Sequence, residues 1–273
     1  MFSKISNYLK DPLKLTKRLI YVLIVLVCIL LISMSLLLIC GVRDVFVEKQ
    51  PPKTTTDLSD SKAVLDRTLD FGDHYIDSTI FLGDYTTANM LDFDLLPGGK
   101  SSYQIWSGEN GDIPLDSNIK NTSIYIADTD TCKSLSLLLE ERRPQRIIIT
   151  LGISNGVSYC DKDKFMSYYQ DVIDLVKEHS PETIIILQSI FPITKKAEKQ
   201  NPAISNERID IANTWICELA EQNNVHFLYT ASVLKDQRGF LQKDYASDDG
   251  LNLDYTGYKA VLKYVRTHGT YEQ

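Results

Sequence analysis

Between Leu19 and Val42 the chain runs for 24 residues without one charge, LIYVLIVLVCILLISMSLLLICGV. As a helix rising about 1.5 Å per residue, such a run crosses a hydrocarbon core of roughly 30 Å, and it lacks the polar face of a core helix in a soluble domain. The sequence therefore predicts one membrane span. Before it, Lys4, Lys10, Lys14, Lys17 and Arg18 oppose Asp11, so the first 18 residues carry +4 and the remainder −11, for −7 overall. Basic flanks stay cytoplasmic. Residues 1–18 are expected to be a cytoplasmic segment and 19–42 a signal anchor in the cell membrane, with everything after it extracytoplasmic. The apolar stretch exceeds the roughly 7–15 residues of a cleaved signal peptide, and no A-x-A-like site follows it.

Residues 43–60, with VEKQPPKTTTDLSD, read as a linker: paired prolines, a threonine run and almost no apolar periodicity. Residues 61–273 suffice for one domain with its own hydrophobic core. Of the five cysteines, Cys28 and Cys40 fall in the span, leaving Cys132, Cys160 and Cys217, an odd number at spacings that suit neither zinc nor a disulfide framework. The acidic balance argues against a nucleic-acid partner, which clustered Lys and Arg would attract. No cofactor or metal is implied. Asp112, Asp116, Asp128 and Asp130 lack the spacing and glycine of a calcium loop and read as solvated loop charge.

The outer part alternates β-branched runs with helical patterns. Strands are predicted at 79–82 (TIFL), 123–127 (SIYIA), 146–151 (RIIITL), 183–188 (TIIILQ) and 225–229 (VHFLY), and helices at 132–142, 162–178, 205–222 and 255–267. Continuous apolar strands are the mark of a parallel sheet covered on both faces, so the expected fold is α/β, three-layered and doubly wound in the flavodoxin-like manner, with about five parallel strands. Ligands of such sheets bind beyond the carboxyl ends of the strands.

At those ends stand Gly83-Asp84-Tyr85, Gly152-Ile153-Ser154-Asn155-Gly156 and, before the last helix, Asp248-Asp249-Gly250-Leu251-Asn252-Leu253. In order and spacing they resemble the blocks of the bacterial, membrane-anchored SGNH (GDSL) hydrolases, which carry Gly-Asp-Ser, then Gly-x-Asn-Asp or Gly-Thr-Asn-Gly, then Asp-x-x-His. The resemblance covers roughly Thr79 to His268. It implies an ester hydrolase site in which a Ser attacks, a His takes its proton, an Asp orients the His, and a backbone N–H, a glycine and an Asn hold the oxyanion. Carried over, Asn155 matches the oxyanion Asn and Asp249 the orienting Asp, while Gly108 and Gly111 in QIWSGENGDI are candidates for the glycine.

Two positions depart from the pattern. The nucleophile position is Tyr85, whose phenol has a pKa near 10 and reaches several ångströms beyond a serine hydroxyl. The base position is Asn252, an amide that neither takes nor gives a proton near neutral pH. Of the four histidines, His179 and His268 read as surface residues, His226 as a strand residue, and His74 precedes the first strand. Tyr103 and Trp106 form either a sugar-stacking platform or, more simply, core packing. Two functions are therefore expected. One is a catalytically inactive SGNH-like module that binds an envelope glycan or a membrane partner. The other is an esterase or O-acyl-transfer accessory enzyme acting on cell-envelope polysaccharide, partnered with a membrane O-acyltransferase or synthase.

Overall fold

The computed structural model describes residues 20, 21, 23–28, 31, 58 and 61–271. The chain divides into two compact units, Met1–Thr54 and Thr55–Gln273. Of the uncharged run, the described residues Ile20, Tyr21, 23–28 and Leu31 are helical. Among the described residues no helix is long and apolar enough to cross a membrane, and the rest of the expected span, the cytoplasmic segment and most of the linker lie outside them.

In the second unit the elements follow as α1 (Asp73–Asp77), β1 (Thr79–Gly83), α2 (Tyr85–Ala88), β2 (Ile105–Gly108), β3 (Ser123–Ile126), β4 (Thr131–Ser134), α3 (Leu135–Arg142) and β5 (Arg146–Thr150). They continue as α4 (Gly156–Tyr159), α5 (Lys162–His179), β6 (Ile184–Gln188), α6 (Lys195–Gln200), α7 (Asn206–Asn223), β7 (His226–Leu228), α8 (Ala231–Leu234) and α9 (Tyr255–Thr267).

One seven-stranded sheet runs β4-β3-β2-β1-β5-β6-β7. Strands β2, β1, β5, β6 and β7 are parallel, whereas β3 pairs antiparallel with both β2 and β4. The sheet is thus mixed, which corrects the wholly parallel expectation. SIYIA is a strand but an antiparallel one, and the fifth parallel strand is Ile105–Gly108, whose closing Ser-Gly reads as a turn. The sequence placed residues 132–134 in a helix; they lie in β4, a polar edge strand, and Ser134 caps α3 by accepting from Leu137 N. Counting the parallel strands alone, the order is 2-1-3-4-5, so the winding reverses between β1 and β5 and opens a crevice beyond their carboxyl ends.

Alternate residues of the central strands feed two separate cores. Ile80, Leu82, Ile147, Ile149, Ile185 and Leu187 pack with α3, α5 and α7. Phe81, Ile105, Ile148, Ile186 and Leu228 face the other way, onto α1 and α9. That two-sided burial is why RIIIT and IIILQ carry no polar alternation. Trp106 is 1% exposed and belongs to the first core, which settles its reading as packing. Helices start where the sequence offers caps: Asp161 for α5, Ser205 for α7 and Asp254 for α9 each accept a backbone N–H from the first turn.

Candidate active site

Strand β1 ends in Gly83, and the chain turns at once into the one-turn α2. Asp84 caps that turn: its Oδ1 accepts from Thr86 N (3.1 Å) and Thr86 Oγ1 (2.7 Å), and its Oδ2 accepts from Ile153 N (3.3 Å), tying the first block to the segment after β5. Asp84 is 1% exposed. Burial pushes its carboxyl up to about 7, against the pull of the Thr86 bonds, and Asp112 pushes it in the same direction.

Tyr85 follows, half-buried. Its backbone N–H donates to Asp112 Oδ1 at 3.2 Å, and Ser154 Oγ donates to Asp112 Oδ2 at 2.7 Å. The phenol has no hydrogen-bond partner among the described residues. Burial raises its pKa, and the charges that act on it, Asp84, Asp112 and Asp249, are all carboxylates, which raise it further.

The segment after β5 is Gly152-Ile153-Ser154-Asn155-Gly156, one residue longer than the Gly-Thr-Asn-Gly of the resembling family. The surplus is taken up in a tight γ-turn: Gly156 N donates to Ser154 O at 2.8 Å, and Asn155 sits at φ 63°, ψ −39°. Ser154 thereby turns toward Asp112 and the Tyr85 backbone. Asn155, which the sequence assigned to the oxyanion, lines a different groove with Asp116, Tyr159 and Cys160.

The two candidate glycines serve the turn that delivers Asp112. Gly111 N donates to Gly108 O at 2.8 Å, so that donor is spent within the turn. A Cβ on Gly108 would stand 1.9 Å from Asp112 O, so only glycine lets the loop fold back so closely.

In the last block Asp249 is bound from every side. Its Oδ1 accepts from Ser247 Oγ (2.7 Å), Leu251 N (2.8 Å) and Asn252 N (3.0 Å), and its Oδ2 from Asn252 Nδ2 (2.8 Å). Burial raises the Asp249 carboxyl, but these bonds outweigh it and hold the group at about 2. The Asn252 amide therefore copies the way an imidazole N–H rests on its carboxylate. Its other end differs: Oδ1 is a buried acceptor without a protein partner among the described residues. Turning the amide over would set two acceptors against each other, so the orientation is fixed by Asp249.

No histidine among the described residues bonds to this cluster. His179 pairs with Glu140, His268 stacks on Tyr264, and burial within β7 lowers the pKa of His226. Of the other acids, Asp128 pairs with Arg142 and Asp130 accepts from Tyr125 Oη. Asp112, read from sequence as a solvated charge, is instead part of the site. With Ser154 it is what sequence reasoning missed; the available signals were the Gly108-x-x-Gly111 turn just before the acid and the extra residue between Gly152 and Gly156.

The model of the GDSL-like Lipase/Acylhydrolase family matches residues 106–260. No curated protein matches the chain. Similar solved structures include a GDSL-like lipase from Bacteroides thetaiotaomicron VPI-5482, at 14% identity and a TM-score of 0.46, covering 69% of this chain and 85% of that one. A lipase/acylhydrolase from Enterococcus faecalis shows 13% identity and a TM-score of 0.42, covering 71% and 98%. An acetyl-xylooligosaccharide esterase from Geobacillus Stearmophilus shows 18% identity and a TM-score of 0.39, covering 71% and 94%.

Proposed function

Because the family match spans more than half of its 273 residues, the chain belongs to the GDSL-like lipase/acylhydrolase family, and from that premise we propose that it is a member without hydrolytic activity. On this reading it is anchored by residues 19–42 and displays residues 61–273 outside the cell membrane, where it binds an envelope glycan or a membrane partner.

The observation that carries the proposal is the Asn252–Asp249 pair. The carboxylate that would orient a catalytic base is fully engaged, and the group it orients is an amide with no proton to exchange. Tyr85 supports the same conclusion, since a phenol whose pKa is raised by burial and three carboxylates is a poorer nucleophile than a free one. The Tyr85 N–H, which an oxyanion would need, already faces the Asp112 carboxylate, and a second anion there would be repelled.

Hydrolysis of p-nitrophenyl acetate by the full-length protein in detergent tests the reading. The expected rate equals that of buffer. Steady turnover that disappears in Asp249→Asn would overturn it in favour of the esterase or O-acyl-transfer accessory on envelope polysaccharide.

A further inference from the structure

The groove that Asn155 enters lies beyond the carboxyl end of β5, beside the degenerate site. It is open to solvent and has a volume of about 380 Å³, within the range of roughly 300–1,000 Å³ typical of small-molecule sites. Three features distinguish it from an ordinary surface depression.

The first is aromatic. Tyr159, at the end of α4, is 79% exposed, the most exposed aromatic side chain among the described residues, and half-buried Tyr168 from α5 forms a second wall. The Tyr159 ring, left in water, offers a stacking face that the core has not used, while Tyr168 is held in place by packing against the core. The second is polar. The Asn155 amide, which makes no hydrogen bond among the described residues, brings one acceptor and two donors. The Asp116 carboxylate adds acceptors, while the Lys164 ammonium is paired with Asp161 at 3.6 Å, so the groove suits an uncharged ligand rich in hydroxyls or amides and disfavours an anion.

The third is rigidity. Arg208 of α7 clamps the α4 turn through Nε to Val157 O (2.9 Å) and Nη2 to Ser158 O (3.3 Å), and the Cys160 thiol donates to Leu115 O (3.8 Å). Asn155 itself is held at positive φ, where a non-glycine side chain persists only because its surroundings fix it. A site whose groups are fixed beforehand loses less on binding.

We propose that this groove is a carbohydrate subsite that takes one sugar ring of a neutral polysaccharide, its C–H face against Tyr159 and Tyr168 and its hydroxyl or acetamido groups on Asn155 and Asp116. The inference rests on the glycan-binding reading above and gives that reading a location outside the former catalytic residues.

The test uses full-length protein in detergent with two β-1,4-linked probes, cellotetraose and chitotetraose, which differ in the acetamido group. Binding is read by titration calorimetry, and its location by peptide-resolved alkylation of Cys160. One of the two sugars is expected to bind saturably and to slow Cys160 alkylation several-fold. Tyr159→Ala and Asn155→Gly, the latter compatible with the positive φ, are each expected to weaken binding about tenfold, equivalent to about 1.4 kcal/mol. Tyr271→Ala, at an exposed tyrosine outside the groove, is expected to leave it unchanged. Binding by the wild type that survives both groove substitutions overturns the groove alone. Failure of the wild type to bind either sugar overturns the groove and turns the parent reading toward a protein partner.

Discussion

Asp84 offers a quantitative test of how the site is built. Its carboxyl has a pKa of about 7 in the fold against the ordinary 3.8 of an exposed aspartate. The folded state therefore binds the proton more tightly, and protonation favours folding. Stability from this group is fully present below pH 4 and is lost as the pH rises through 7. Between pH 5 and pH 8 the difference in proton binding amounts to about 2–3 kcal/mol, and the 1% exposure of Asp84 leaves little solvent screening to reduce it. For a domain of this size that is a fall of roughly 5–10 °C in Tm.

Asp84→Asn removes the titration while keeping an acceptor for the α2 turn, since Asn caps about as well as Asp. Losing the bond from Ile153 N adds an offset that does not vary with pH. His226 and His268, whose pKa values burial lowers, contribute a slope of opposite sign that both proteins share. Thermal and urea unfolding of wild type and variant at pH 5, 6, 7 and 8 is expected to show the wild type losing about 2–3 kcal/mol relative to the variant. Parallel pH profiles would refute the assignment of a buried, desolvated carboxyl.

Other outcomes follow from the same geometry. Tyr85→Ser combined with Asn252→His is expected to leave acetyl-ester hydrolysis within about tenfold of background, because Asp112 still occupies the Tyr85 backbone donor; adding Asp112→Asn is expected to raise it further, and full activity in the double variant refutes the role of Asp112. Gly250→Ala places a Cβ 2.1 Å from Thr194 Oγ1 at φ +71°, and a loss of about 2–4 kcal/mol is expected in urea unfolding. Asp249 has a folded pKa of about 2 against 3.8, so its stabilisation is present above pH 4 and lost as the pH falls through 2; Asp249→Asn is expected to flatten acid unfolding in that range.

The strands that hold the domain were legible because parallel strands buried on both faces must be apolar throughout, and 146–151 and 183–188 obey that rule. The same rule hid β2 and β4. Ile105–Gly108 has two apolar residues followed by Ser-Gly, a pair that reads as a turn. Thr131–Ser134 is an edge strand whose polar residues need no apolar pattern, and its place in the sheet comes from pairing with β3.

The candidate site divides along similar lines. Sequence alone singled out Gly83, Asp84, Tyr85, Asn155, Asp249 and Asn252 as candidates, because spaced blocks at strand ends are a one-dimensional pattern, and a phenol and an amide have fixed protonation behaviour wherever they sit. Which atoms meet was decided only by the tertiary structure. A γ-turn at Asn155 leaves Ser154 on Asp112 and Asn155 in another groove, and the Gly108 turn carries Asp112 across 27 positions of sequence to the Tyr85 backbone. Neither outcome is contained in residue identity, since hydrogen-bond partners at such separations are chosen by how loops close over the sheet. Composition and spacing thus determined the fold class and which side chains stand at the candidate site, and packing decided where their donors and acceptors point.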